Sequence, residues 1–245
     1  MTSFISSSAS HTGMVRKVNE DSFISRDAIG LWAVADGMGG HQAGDVASQL
    51  VTNSLNTVPA SPDMGQLLHA TRTALLSANS ELISMDGQYD ANRVPGSTVV
   101  VLLLHGHEAA VVWAGDSRIY RLRQGQAEQL TRDHSHVQEL VDQQLISPEQ
   151  AESHPMANVI TRAIGIEEPV ELDVLHLDYM EGDQFLLCSD GLSRLLSMAE
   201  IQNLMKTKSL EESVQTMIHT ALVRGAPDNV TVISVQSDDE QTVVF

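Results

Sequence analysis

Carboxylates repeatedly stand where apolar runs of this sequence stop. Asp36 directly follows Leu31-Trp32-Ala33-Val34-Ala35, and Asp190 follows Phe185-Leu186-Leu187-Cys188-Ser189. Asp116 comes after the run that closes on Trp113-Ala114-Gly115. Asp228 stands just before Val230-Thr231-Val232-Ile233, and Glu20 and Asp21 precede Ser22-Phe23-Ile24. If these ends converge, negative charges meet where water is partly excluded, which costs on the order of several kcal/mol for each unpaired ion. Few Lys or Arg residues lie nearby in sequence to neutralise them. Hard divalent cations would, because Mg²⁺ and Mn²⁺ prefer carboxylate, carbonyl and water oxygens. The plainer reading of any single Asp is a helix cap or a turn. Four together favour a cation site, since each adjoins Gly or Asn, where the backbone can bend sharply.

The elements that must carry these residues can be read from pattern. Short runs rich in Val, Ile and Leu predict strands at Leu31–Ala35, Ser97–Leu104, Ala109–Ala114, Ile119–Arg123, Val170–Leu177, Gln184–Ser189 and Val230–Val235. Gly106-His107 and Gln124-Gly125 read as hairpin turns, which pair the flanking runs antiparallel. Helices are predicted over Ala43–Leu55, Met64–Met85, Ser135–Gln144, Met198–Lys206 and Leu210–Arg224. In the second, Leu67, Leu68, Ala74, Leu75, Ala78 and Leu82 recur near the helical period. Strands come in groups with helices in pairs between them, which suggests helices layered over antiparallel sheets. Pro59 to Pro62 and Ser147-Pro148 read as loop breaks within one domain.

Composition narrows the function classes. Lys and Arg number 14 against 32 Asp and Glu, a net charge of -18, so no basic stripe is available for nucleic acid or an anionic membrane. Solubility accounts for much of that acidity, and placement has to identify the carboxylates with a chemical role. Cys188 stands alone, so no internal disulfide forms and a reducing compartment fits. The start MTSFISSSASHTG lacks the charged and apolar regions of a signal peptide, and no apolar run reaches about 18 residues. Cytoplasm is the expected location.

Eight short motifs now fall into order. They are Arg16-Lys17-Val18-Asn19-Glu20-Asp21, Asp36-Gly37-Met38-Gly39-Gly40-His41, Gly96-Ser97-Thr98 and Ala114-Gly115-Asp116-Ser117-Arg118. Thr131-Arg132-Asp133-His134-Ser135, Thr161-Arg162-Ala163-Ile164-Gly165, Ser189-Asp190-Gly191-Leu192 and Asp228-Asn229-Val230-Thr231 complete the set. Together they resemble the PPM (PP2C-like) family of metal-dependent Ser/Thr protein phosphatases, in its stand-alone bacterial form. The likeness runs over nearly all of residues 1–245 and leaves no room for an appended domain.

The resemblance implies an α+β fold, a four-layer α-β-β-α sandwich with two central antiparallel sheets flanked by helices. It implies that Asp36 bridges two Mn²⁺ or Mg²⁺ ions. Asp190 and Asp228 would serve the first ion, and the Gly37 carbonyl with Glu20 the second. Asp116 with Asp190 would hold a weaker third. Arg16 would bind the substrate phosphate, with Asp21 and Asn229 in support. Water between two cations, its pKa lowered towards neutrality, would attack phosphorus in line without a phosphoenzyme. The implied partners are phosphoproteins, among them a Ser/Thr kinase and its substrates. Residues His134 to Arg162 would form a mobile flap beside the cleft, with His134, His136 and His154 either touching substrate or simply solvated.

Two positions depart from the family pattern. Some relatives carry a His proton donor after Asp-Gly, where this chain has Met38; water on a third ion is then the preferred donor and His41 a weaker one. Relatives often carry Asp four residues after the Ser-Asp-Gly aspartate, where this chain has Arg194. An arginine there would disfavour a third cation or replace part of its charge, unless it is a plain surface residue.

Rival readings are weaker. Cys188 to Arg194 fits the C-x-x-G-x-x-R loop of cysteine-dependent phosphatases, but Asp190 inside it would repel both a thiolate and a phosphate. A non-catalytic phosphoprotein binder would not need Glu20, Asp36, Asp190 and Asp228 all intact. A nucleotide loop at Gly37-Met38-Gly39-Gly40 lacks the Lys and Ser/Thr of a P-loop.

Overall fold

The computed structural model describes residues 3–39, 42–85, 95–152, 154–207 and 209–237. In chain order these form β1 (Phe4–His11), β2 (Asp21–Arg26), β3 (Leu31–Met38), α1 (Gln42–Asn56), α2 (Met64–Ser84), β4 (Gly96–Ser97), β5 (Val99–His105) and β6 (Glu108–Ala114). There follow β7 (Arg118–Arg123), β8 (Gln126–Gln129), α3 (His136–Asp142), α4 (Pro148–Glu152), β9 (Asp173–Asp178) and β10 (Gln184–Cys188). The chain closes with α5 (Asp190–Ser193), α6 (Met198–Met205), α7 (Leu210–Val223) and β11 (Val230–Ser237).

Side chains alternate across a strand, so an apolar run without polar breaks must bury both faces. That is what β3 and β5 do. Leu31, Ala33, Val101 and Leu103 face a core shared with Val51 and Leu55 of α1 and Leu67 and Leu75 of α2. Trp32, Val34, Val100 and Leu102 face a second core, against Phe185 and Leu187 of β10 and Ile233 and Val235 of β11. The opposite faces of β10 and β11 supply Leu186, Cys188, Val230 and Val232 to a third core with Ile201 of α6 and Val214 and Met217 of α7. Three stacked cores separate four layers, in the order helices, sheet, sheet, helices, as the resemblance implied.

One sheet runs β1-β11-β10-β7-β8 and the other β2-β3-β5-β6-β9, with β4 beside β3. Every pairing is antiparallel. Both expected hairpins form, with His105 opposite Glu108 and Arg123 opposite Gln126. Two strands lacked an apolar signature. The Ser-rich β1 is held by backbone pairing to β11 from Phe4↔Ser237 to His11↔Val230. Its one large apolar residue that is buried, Phe4, packs edge-on against Trp32 at 5.7 Å. The other is β8, which forms one edge of its sheet by pairing with β7. The strand expected from Val170 starts at Asp173 instead, and Val170 packs into the first core from the preceding loop.

Antiparallel order also decides where strand ends go. Strands β3 and β6 both pair antiparallel with β5, so they run the same way and end on one edge. Strand β2 runs against β3 and begins there. In the other sheet, β10 ends where β11 begins.

The middle core should dominate stability. Leu102→Ala, at a fully buried position, should lower the unfolding free energy by about 2–5 kcal/mol in urea titrations. Val223→Ala, at 73% exposure, should change it by less than about 0.5 kcal/mol.

Candidate metal centre

The carboxylates predicted from strand ends share that one edge. Asp36 on β3 lies directly opposite Asp21 on β2. Thr98 clamps the backbone of Asp36: its amide donates to the Asp36 carbonyl at 2.9 Å, and its hydroxyl accepts the Asp36 amide at 3.2 Å. Gly37 must be glycine, since a Cβ there would sit 2.0 Å from the carbonyl oxygen of Gly44 in α1. This close approach lets the Gly37 amide donate to the Glu20 carbonyl at 3.0 Å. Gly115, at φ +115°, turns the chain so that Asp116 follows β6 into the site. Asp190 opens α5 immediately after β10, and Asp228 precedes β11.

Side chains behind these groups hold them in place. The buried Asp21 carboxylate accepts hydroxyl protons from Ser189 at 2.8 Å and Thr231 at 2.7 Å, which ties the two sheets together. The Asn229 side-chain oxygen accepts the Glu20 amide at 2.8 Å, and its nitrogen donates to the carbonyls of Thr12 and Val18. Asn19 donates to Ser10 at 2.7 Å and accepts the Asp21 amide. The reading of Asp21 and Asn229 as supporting groups fits these bonds. Sequence reasoning gave no role to Asn19, Thr98, Ser189 and Thr231. Asn19 and Ser189 adjoin Glu20 and Asp190 in sequence, whereas Thr98 and Thr231 reach the site only through the fold.

The charges interact strongly. Burial, then repulsion from Asp21, Asp190, Asp116 and Asp228, pushes the Asp36 carboxyl well above the ordinary carboxylate range. Burial and then Asp190 push Asp116 up to about 7, against the pull of Arg194. Burial pushes Asp21 up to about 6 despite its two hydroxyl donors. Asp190 shifts upward through burial and through repulsion from Asp228 and Asp21, against the pull of Arg194. Carboxylates crowded in this way call for protons or cations among them.

Two arginines reach the cluster. Arg16, half exposed, donates to Asp228 at 2.8 Å and also feels Glu20 and Asp36. Arg194 pairs with both Asp116, at 3.1 Å, and Asp190, at 3.0 Å. As the side chains stand, no three Asp, Glu, His or Cys among the described residues form a group that could grip one ion. Asp228 is turned to Arg16, and Asp116 and Asp190 to Arg194. The donor chemistry nevertheless suits a hard cation: crowded carboxylates whose charge protons or metal must offset, and a buried Asp116 Oδ1 with no hydrogen-bond partner.

One histidine of the expected flap, His134, departs from the reading as a substrate contact or solvated group. His134 is mostly buried, stacks on Trp113 at 6.0 Å and accepts the Gly115 amide on Nδ1 at 3.1 Å. Its other nitrogen faces Asp173 at 3.2 Å, so it is a fixed part of the turn that carries Asp116. His154 accepts the Met156 amide within its own loop. The segment carrying α3 and α4 is closed at its base by the Ser135↔Ile160 bridge. The side chains of Met38 and Ile166 both lie against Gly96. His41 and Gly40 lie outside the described residues. Cys188 is fully buried in the third core, and burial pushes its thiol up to about 12, which removes it as a nucleophile.

Comparison with known proteins agrees with this geometry. A family model described as "Protein phosphatase 2C" matches residues 5–140. The chain is 40% identical to the serine/threonine protein phosphatase PstP of Mycobacterium tuberculosis over 91% of its own length, and it spans 43% of PstP. It is 36% identical to the serine/threonine phosphatase stp of Listeria monocytogenes, covering 92% of this chain and 93% of that protein. Among solved structures, PppA, described as a regulatory component of T6SS in Pseudomonas aeruginosa, superposes with a TM-score of 0.90 and 43% identity over 96% of this chain and 98% of that one. The catalytic domain of PstP in complex with two manganese ions superposes at 0.84 with 36% identity, over 97% and 99% of the two chains.

The raised carboxyl values set a pH dependence. The folded protein holds protons on Asp21 and Asp116 that the unfolded chain, with carboxyls near 3.8, releases earlier. That contribution is complete below pH 3.8 and is lost as pH rises through about 6 and about 7. In chelator, Tm should therefore fall between about pH 5 and about pH 8, and Mn²⁺ should raise it more at the upper end. Asp116→Asn should flatten the slope; an unchanged slope by scanning fluorimetry contradicts this account.

Proposed function

The chain belongs to the protein phosphatase 2C family, and on that premise we propose that it hydrolyses phosphoserine and phosphothreonine in proteins with two divalent cations. The observation that carries the proposal is the meeting of Asp36, Asp116, Asp190 and Asp228 at one sheet edge, where burial and repulsion from its neighbours push the Asp36 carboxyl up. Residues that meet from positions 20, 36, 190 and 228 in sequence have no shared structural task that calls for such repulsion.

In this reading the carboxylates of Asp36, Asp190, Asp228 and Glu20 and the Gly37 carbonyl would hold the two ions. Manganese is the first candidate, because the PstP catalytic domain holds two such ions; magnesium offers the same oxygen preference. When bound, the cations acidify water and offset charge on the phosphoryl oxygens. The chain's own residues do the rest. Arg16 presents an exposed guanidinium beside Asp228, so a phosphate can take part of its planar fork. Asp21 and Asn229 keep Glu20 and the Asp36 backbone from drifting, through the hydroxyl and amide bonds described above. With Cys188 buried, no thiol is placed to form a phosphoenzyme, which favours direct attack by water.

Phosphoproteins, among them a Ser/Thr kinase and its substrates, are the partners that fit this chemistry. The acidic surface fits neither nucleic acid nor anionic lipid. No helix among the described residues is long and apolar enough to cross a membrane. Residues 1–245 would work as one catalytic unit in the cytoplasm.

The test is turnover of an aryl phosphate and a phosphothreonine peptide in a Mn²⁺ titration, with chelator abolishing it. Asp36→Ala or Asp190→Ala should lower kcat by about 10³-fold or more with the fold intact by circular dichroism. Arg16→Ala should lower kcat/KM by about 10- to 100-fold, chiefly through KM. Cys188→Ala should stay within about twofold of the unaltered chain. Full turnover in Asp190→Ala contradicts the assignment, and no turnover at any Mn²⁺ concentration favours a phosphoprotein binder.

A further inference from the structure

We propose that the guanidinium of Arg194 is the resident cation of the Asp116–Asp190 pair, so that this side of the centre takes no metal ion. The inference rests on the two-cation reading above and restricts it. Asp116 is 5% exposed and Asp190 opens α5, so neither can shed its charge into bulk water. Arg194 stands four residues after Asp190, which places it over the same helical face. Its Nε forms an ion pair with Asp190 Oδ2 at 3.0 Å, and its Nη2 donates to Asp116 Oδ2 at 3.1 Å.

Two further contacts fix that fork. The Arg194 amide bonds the Asp190 carbonyl at 3.0 Å, and Nη2 also reaches the Ala157 carbonyl at 3.3 Å. Each carboxylate therefore meets a planar, permanently charged donor at hydrogen-bond range. A divalent ion between them would sit against the guanidinium, cation beside cation. Asp116 Oδ1, buried and without a hydrogen-bond partner among the described residues, points to what would change if the guanidinium were removed. The pair would lose its counter-ion and offer its oxygens to a metal ion in its place.

Bound Mn²⁺ per chain, counted by equilibrium dialysis on the full chain, reads this directly and does not depend on turnover. Arg194→Ala should bind one Mn²⁺ more than the unaltered chain, more weakly than the others. Arg194→Lys, which keeps the charge, should return the count to that of the unaltered chain. Adding Asp116→Ala to Arg194→Ala should abolish the extra ion. A saturated count that Arg194→Ala leaves unchanged, in protein folded by circular dichroism, overturns the role of Arg194. So does an ion in the unaltered chain that Asp116→Ala removes. An unaltered chain that binds no Mn²⁺ instead sinks the two-cation reading itself.

Discussion

Repulsion between carboxylates gathered at one edge is the constraint on which the rest of this structure depends. Burial and mutual repulsion raise the proton affinity of Asp36, Asp116 and Asp190, and the charges of Asp228 and Asp21 add to the repulsion. Left alone, such a cluster would push its strands apart or draw in water. The fold resists through backbone pairing on both sides of Asp36 and through hydroxyls that bond the buried Asp21. Function and stability thus pull in opposite directions at this edge. The cations proposed for it would reconcile them.

The four layers make that resistance possible. Each sheet is buried on both faces, so its strands cannot slide by one residue without moving a core residue to the wrong side. The edge positions inherit that register. Asp36 faces Asp21 because Val34 faces Phe23 and Ala33 faces Ile24 further along the same ladder. Across the sandwich, Ser189 and Thr231 are the residues that meet Asp21, and Ser189 accepts the Thr231 amide. A charged site is held by apolar packing some distance behind it.

Charge is also managed by pairing at a second level. Arg118 grips Asp133 with both ends of its guanidinium, at 2.9 Å and 2.6 Å. That pair steadies the turn that leads to His134, whose ring accepts the amide of Gly115 next to Asp116. The motif around residues 131–135 therefore braces the backbone next to Asp116. Read from sequence, a histidine next to an aspartate suggests chemistry. Its stacking on Trp113 and its bond to the Gly115 amide show a building part.

The amino-acid order by itself determined the layers and the residues that end at the site. Uninterrupted Val, Ile and Leu runs require burial on both faces, and an Asp with a Gly or Asn beside it stops such a run in a bend. What it could not contain is pairing between distant segments. The Ser-rich β1 carries no apolar signal, and only its hydrogen bonds to β11 make it a strand. Nothing local in Arg194 tells a surface arginine from a counter-ion. That distinction came from the tertiary structure, which set Asp116, 78 residues away, within 3.1 Å of its guanidinium. Charge interactions act through space, and the fold decides which charges become neighbours.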